Sequence, residues 1–175
     1  MNKIISNILF TVFLIFFQAM FLNHVNFLNF INPYLYIFFI IYFPLKTNRS
    51  IFILIAFFTG LIIDFFSDTH GMHAAACLSI AYFRTYFLKI FFGMAYKHQV
   101  VKFKHLEFKQ NFFYLITMIF THHVILFSLE VFSLNHLDII FKKTICSLIF
   151  SFILIIIFFE FFIKKSKWDK TFFLF

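Results

Sequence analysis

Apolar runs recur along this chain at close to the length a bilayer demands, and nothing constrains its fold more. A helix needs about 20 residues to cross a hydrocarbon core of about 30 Å. Runs of that kind occupy residues 4–22, 34–45, 51–67, 73–92, 111–131 and 139–163. Composition removes the soluble alternative. The 175 residues are 63% hydrophobic, with 36 phenylalanines, and 13% charged. A water-soluble domain of this size could not cover so much apolar surface with so few charges. The expectation is an all-α integral membrane protein, a single domain over residues 1–175 with six transmembrane helices.

The second run is the weak one. Its twelve residues rise about 18 Å as a helix, so it crosses a thinned region or continues past Pro44 with a kink. Five crossings with a re-entrant second segment is the competing count. Asn32 is a suitable N-cap for this helix and Pro33 suits its first turn, where the missing N–H costs nothing. The first run follows one positive residue and has no small-x-small cleavage site, so it reads as a retained span rather than a signal peptide. Cys77 and Cys146 both lie inside apolar runs and read as small buried hydrophobes.

Lysine and arginine near span ends set the orientation. One side receives Lys3, then Lys46 and Arg49, then the basic segment 97–109, then "KKSKWDK" near the end of the chain. The other side receives 23–33 and 68–73, with no Lys or Arg, and a last loop with Glu130 and Asp138, where Lys142 and Lys143 are the contrary charges. That alternation requires an even number of crossings and places both termini in the cytoplasm. Orientation and contact with anionic lipid account for the net charge of +8; a nucleic-acid partner is not needed.

The stretch "GLIIDFFSDTHGMHAA" at 60–75 stands apart from these Phe-rich surroundings. Five of the seven alanines and two of the three glycines lie between 56 and 81. Ala56, Gly60, Asp64 and Ser67 fall on one stripe of the third helix, while Ala74, Ala75 and Ala76 open the fourth. Within lipid, helices associate through close backbone packing and polar contacts, so small residues mark a helix–helix contact. Asp64 shares the stripe and is expected to face protein, because an aspartate facing hydrocarbon costs a few kcal/mol. Gly71 allows the tight turn between the helices, with Asp68 and Thr69 supplying turn or cap oxygens.

Arg84 is the one Lys or Arg well inside a span. It reaches toward Asp64, or it snorkels to the cytoplasmic headgroups; the sequence leaves both open. His70, His73, His123 and Glu130 collect at the opposite edge, with His123 and Glu130 seven apart on one helical face. No tight ligand motif such as H-E-x-x-H accompanies "HGMH" or "THHVILFSLE", so no metal or other cofactor is expected. An intramembrane aspartyl protease needs two opposed carboxylates, and Asp64 has no second Asp inside another helix; Ser67 has no general base at a recognisable spacing. No catalytic residue is assigned.

The sequence resembles the MreD family of bacterial rod-shape-determining membrane proteins over nearly its whole length. The densest match runs from "NPYLYIFF" through "RTYFLK", with Asn-Pro opening the second span and Gly60, Asp64, Ser67 and Gly71 at the family's spacing; "THHVILFSLEVF" is similar to Bacteroidetes-type members. The resemblance implies a non-enzymatic component of the cell-elongation complex in the bacterial inner membrane. Its partners would be an MreC-like single-span protein, an MreB-like actin homologue, and a peptidoglycan polymerase with its transpeptidase. It also implies a compact six-helix bundle similar to the substrate-binding component of energy-coupling-factor transporters. The packed third–fourth hairpin would shape a small cavity with Asp64 and Arg84 at its polar floor. Phe-rich outer helices would meet partner spans or a second copy of the chain. The rival reading is a transporter subunit that binds a small polar molecule beside Asp64.

Overall fold

The computed structural model describes residues 3–24, 32–45, 47–97, 108–132 and 136–160. The basic segment at 98–107, Lys46 and the basic tail at 164–170, on which much of the expected orientation rests, lie outside them. Helix is the only regular secondary structure among the described residues. The helices are α1 (Lys3–Met20), α2 (Ile37–Tyr42), α3 (Arg49–Ser67), α4 (Met72–Lys97), α5 (Phe108–Val131) and α6 (Leu137–Phe159), with a 3₁₀ turn at Leu22–His24 after α1. Four of them, α3 to α6, are long and apolar enough to cross a membrane, α4 over Met72–Gly93. At Gly93 the backbone leaves helical geometry (φ 44°), and the straight part of α4 ends there.

Apolar helices suit a bilayer because each satisfies its own backbone hydrogen bonds where water is absent. Large apolar side chains point outward, among them Phe65 (82% exposed) and Ile90 (72%). Successive long helices pack as antiparallel neighbours, α3 on α4, α4 on α5 and α5 on α6.

The second segment departs from the sequence-based expectation. It has six helical residues, a rise of about 9 Å, and neither starts nor ends as read. Asn32 and Pro33 precede the helix without capping it; the cap position is Tyr36, whose side chain makes no cap hydrogen bond. The helix does not continue through Pro44, because Phe43 is already extended (φ −56°, ψ 144°).

This segment nevertheless runs the depth of the bundle. Near its start Tyr36 reaches His73 at the beginning of α4. At its end Phe43 packs on Phe52 near the start of α3, ring centroids 4.8 Å apart. Residues 33–38 and 40–42 are all buried. Tyr36, Ile37, Ile40 and Ile41 have no exposed surface, so the segment is the centre of the molecule.

Non-helical backbone at membrane depth is tolerated when buried in protein that satisfies it. Here side chains from four helices do so. Gln18 of α1 accepts from Leu35 N (2.7 Å) and donates to Pro33 O (3.1 Å). Ser151 of α6 accepts from Tyr34 N (2.9 Å). Arg84 of α4 donates from Nε to Ile41 O (3.3 Å) and from Nη2 to Phe43 O. Tyr114 of α5 donates to the same Ile41 O (3.2 Å). With its entry held by Gln18 and Ser151, the chain forms no helix before Ile37, where a longer one was expected.

Arg84 therefore neither pairs with Asp64 nor snorkels. It is 4% exposed, covers the carbonyl end of α2, and lays its guanidinium over Phe52, 4.9 Å from the ring centroid. A cation is favourable at a helix C-terminus, where carbonyls lack helical partners. An Arg84→Met variant should lose about 3 kcal/mol, since two buried carbonyls forfeit charged donors. Arg84→Lys should recover part of that loss, because an ammonium cannot reproduce the planar fork. Thermal unfolding of the three proteins in detergent checks the order; equal stability would remove the capping role.

Candidate functional site

Two polar centres sit in the core, and the first is Asp64. In α3, Ala56, Gly60 and Asp64 are buried on the face toward α4. Gly60 is so close to α4 that a Cβ there would lie 2.6 Å from Ala74 Cα and from His73 O. This contact brings the Asp64 carboxylate onto the first turn of α4. Oδ1 accepts from His73 N (2.9 Å) and Oδ2 from Ala74 N (2.8 Å), while the Thr69 hydroxyl also donates to Oδ1 (2.5 Å). These amides belong to the orphan donors of a helix N-terminus, where negative charge is stabilised. Asp64 thus caps the following helix from ten residues upstream.

The turn between the helices makes this possible. Asp68 and His70 take left-handed φ of 52°, and Gly71 takes 93°. Ser67, on the same stripe in sequence, accepts from Asn23 Nδ2 (2.7 Å), tying the 3₁₀ turn after α1 to the end of α3. Ala75 is partly buried one turn into α4, and its carbonyl accepts from Ser79 Oγ (2.8 Å).

The second centre is a cluster of imidazoles and phenols between α2, α4, α5 and α6. The Tyr36 hydroxyl lies 2.7 Å from His73 Nδ1 and 2.8 Å from His122 Nε2. One hydroxyl can donate once and accept from the other side, so one ring nitrogen accepts and the other donates. His123 donates from Nδ1 to Ile119 O (2.7 Å), which leaves Nε2 as the acceptor facing Ser151 Oγ at 3.3 Å. The Tyr34 ring contacts all three imidazoles, with centroids 5.4 Å from His73, 6.2 Å from His122 and 5.4 Å from His123. His73 is 4% exposed, and His122, His123 and Ser151 are fully buried.

Of the edge residues that the sequence gathers together, the fold keeps His73 and His123 around the Tyr34 ring and sets His70 and Glu130 apart. His70 is exposed in the turn. Glu130 shares a helix with His123 but points outward, where it pairs with Lys143. Asn32, half-buried, and Pro33, buried, lie in the non-helical segment before α2. Among the described residues no group of three or more His, Cys, Asp or Glu side chains is placed to hold a metal ion. Hydrogen-bonded imidazole, phenol and hydroxyl groups can relay protons or bind small polar molecules.

Sequence reasoning missed Gln18, Tyr34, Tyr36, Tyr114, His122 and Ser151. A signal was present for the phenols. In a chain that uses Phe 36 times and Tyr 7 times, each tyrosine marks a place where a hydroxyl is wanted. Gln18 is likewise an amide within the unbroken apolar stretch 12–22 of the first run. Compared with protein-family models, with curated proteins and with solved structures, the chain finds no match in any of the three.

Proposed function

We propose that the chain is a non-enzymatic, multi-pass component of the bacterial cell-elongation complex, of the MreD type. It couples MreC- and MreB-like proteins to lateral peptidoglycan synthesis and so maintains cell shape. On this reading it sits in the inner membrane with both termini cytoplasmic. It crosses six times, counting the central discontinuous segment, in a bundle similar to the substrate-binding component of energy-coupling-factor transporters.

Besides the resemblance, one observation supports a scaffold over a carrier. Buried charges are the usual pointer to a transport pathway, but Asp64 and Arg84 are both occupied with helix ends, α4 and α2 respectively. This reading assigns partner contact to the outer surface, whose aromatic and aliphatic side chains fit neighbouring spans by van der Waals contact. Partner helices, a second copy and lipid all suit such faces.

The test is depletion in the native bacterium together with affinity purification from its membranes. Rounded cells and recovery of an MreC-like single-span protein are expected. Normal rods, with no wall-synthesis protein recovered, would overturn the proposal. The carrier reading draws on the imidazole cluster, and Tyr36→Phe separates the two. A scaffold keeps partner recovery and cell shape with this variant, whereas a carrier loses uptake.

A further inference from the structure

Where α3 begins, an arginine is laid across the neighbouring helix. Nη2 of Arg49, the first residue of α3, donates to Tyr82 O of α4 (3.3 Å). Its guanidinium carbon lies 4.8 Å from the Tyr82 ring centroid and 5.8 Å from that of Tyr86, and the two rings are 6.0 Å apart. The Tyr86 phenol joins the group together: it meets Tyr82 and Arg49 and feels the charge of Lys89. Tyr82, Tyr86 and Lys89 stand at i, i+4 and i+7, one face of α4, and all three are exposed, as is Arg49.

Depth and charge both bear on what this group can bind. The 19 residues of α3 rise about 28 Å, so Arg49 stands at a membrane boundary, where tyrosines and basic side chains reach headgroup level. One turn deeper on the same stripe of α4 is Leu78, exposed and apolar. The first turn of α3 holds no acidic residue, and its N-terminus adds positive potential. Among the described residues no carboxylate pairs with Arg49 or Lys89; Glu130 is bound to Lys143 and Asp64 to the α4 amides. A guanidinium also carries more N–H donors than Tyr82 O and the Tyr86 hydroxyl can use.

We propose that Arg49 and Lys89, with the Tyr82 and Tyr86 phenols, hold the phosphate of an anionic phospholipid at the α3–α4 surface, an acyl chain running past Leu78. The planar guanidinium matches two phosphate oxygens at once. The tyrosine rings fix it before the lipid arrives, so little side-chain freedom is lost on binding. Two cations without carboxylates select a headgroup of net negative charge over a zwitterionic one, whose own ammonium already answers its phosphate. The apolar stripe below selects a lipid over free phosphate. This inference stands on the contacts of Arg49 and is independent of the elongation-complex reading.

Native mass spectrometry of the full chain in detergent tests it, by titration with dioleoyl phosphatidylglycerol and with dioleoyl phosphatidylcholine. Phosphatidylglycerol should bind about thirtyfold more tightly, the effect expected of two basic residues at the membrane surface. The double variant Arg49→Gln, Lys89→Gln should bind both lipids equally. Tyr82→Leu keeps every charge but removes the platform, and should weaken phosphatidylglycerol about threefold. Glycerol phosphate at equal concentration should not compete. Equal binding of the two lipids by the native chain would overturn the proposal. So would a preference undiminished in the double variant, which would place the lipid on basic residues elsewhere, and effective competition by glycerol phosphate would overturn the lipid assignment. If the double variant fails to fold, Lys89→Gln alone, at an exposed position, should still cost about fivefold; unchanged affinity there would overturn the two-cation site.

Discussion

Replacing Gly60 with leucine is expected to leave little folded protein. The ideal Cβ at this position falls 2.6 Å from Ala74 Cα, 2.6 Å from His73 O and 2.7 Å from Ala74 N. All three are main-chain or Cα atoms, which cannot swing aside as the tip of a flexible side chain could. Real Cβ atoms essentially never come so close, so α3 and α4 must separate. Separation also draws the Asp64 carboxylate off the amides it caps, coupling a steric cost to a polar one. Overpacking a tight contact costs up to about 3 kcal/mol or more, and Gly60→Leu belongs at the top of that range. Even Gly60→Ala should lower the unfolding temperature. The measurement is the yield of monodisperse protein with its thermal midpoint, compared with Phe65→Leu, a change on a side chain 82% exposed to the surroundings. If Gly60→Leu behaved like Phe65→Leu, the close approach of α3 and α4 would not hold the fold.

Asp64→Leu should come second. The carboxylate serves three donors at once, His73 N, Ala74 N and the Thr69 hydroxyl, in a site 4% exposed. Leucine removes all three acceptor contacts and leaves two backbone N–H groups facing hydrocarbon. Hydrogen bonds to a charged group contribute roughly 1.5–3 kcal/mol each, with partial relaxation, so a loss of about 4 kcal/mol is expected. Asp64→Asn is the informative companion. One amide oxygen can still accept, but the NH₂ group meets a backbone donor, so about half of the effect should persist. Chemical denaturation of the three proteins in matched micelles orders them. A stable Asp64→Leu protein that lost a bound solute would mean that the residue serves a ligand, against the capping role described here.

These two expectations concern the part of the molecule most legible in the sequence. Spacing of 3.6 residues per turn put Ala56, Gly60 and Asp64 on one stripe, and the lack of bulk at 74–76 pointed to the surface it meets. Both follow from rules in which each residue type speaks for itself: a glycine permits approach, and a carboxylate avoids hydrocarbon. The four long apolar helices were legible for the same reason, because length and composition suffice to match a bilayer.

The polar interior was not legible, and the reason is physical. Asp64, Arg84, Gln18 and Ser151 all bind main-chain amides or carbonyls. Every residue carries such groups, so a search for complementary side chains had nothing to find; it offered Arg84 to Asp64, although each serves a different helix end. The second segment was misread likewise. Its apolar letters and two prolines describe a short helix between breaks, yet the helix starts only at Ile37, and Gln18 and Ser151, 17 and 117 residues distant from their partners, satisfy the backbone before it. Sequence by itself determined that this chain lives among apolar surroundings and that α3 meets α4 closely. Which unpaired backbone groups exist, and therefore what the buried charges, phenols and imidazoles are for, arises when distant segments converge, and that was decided in the tertiary structure.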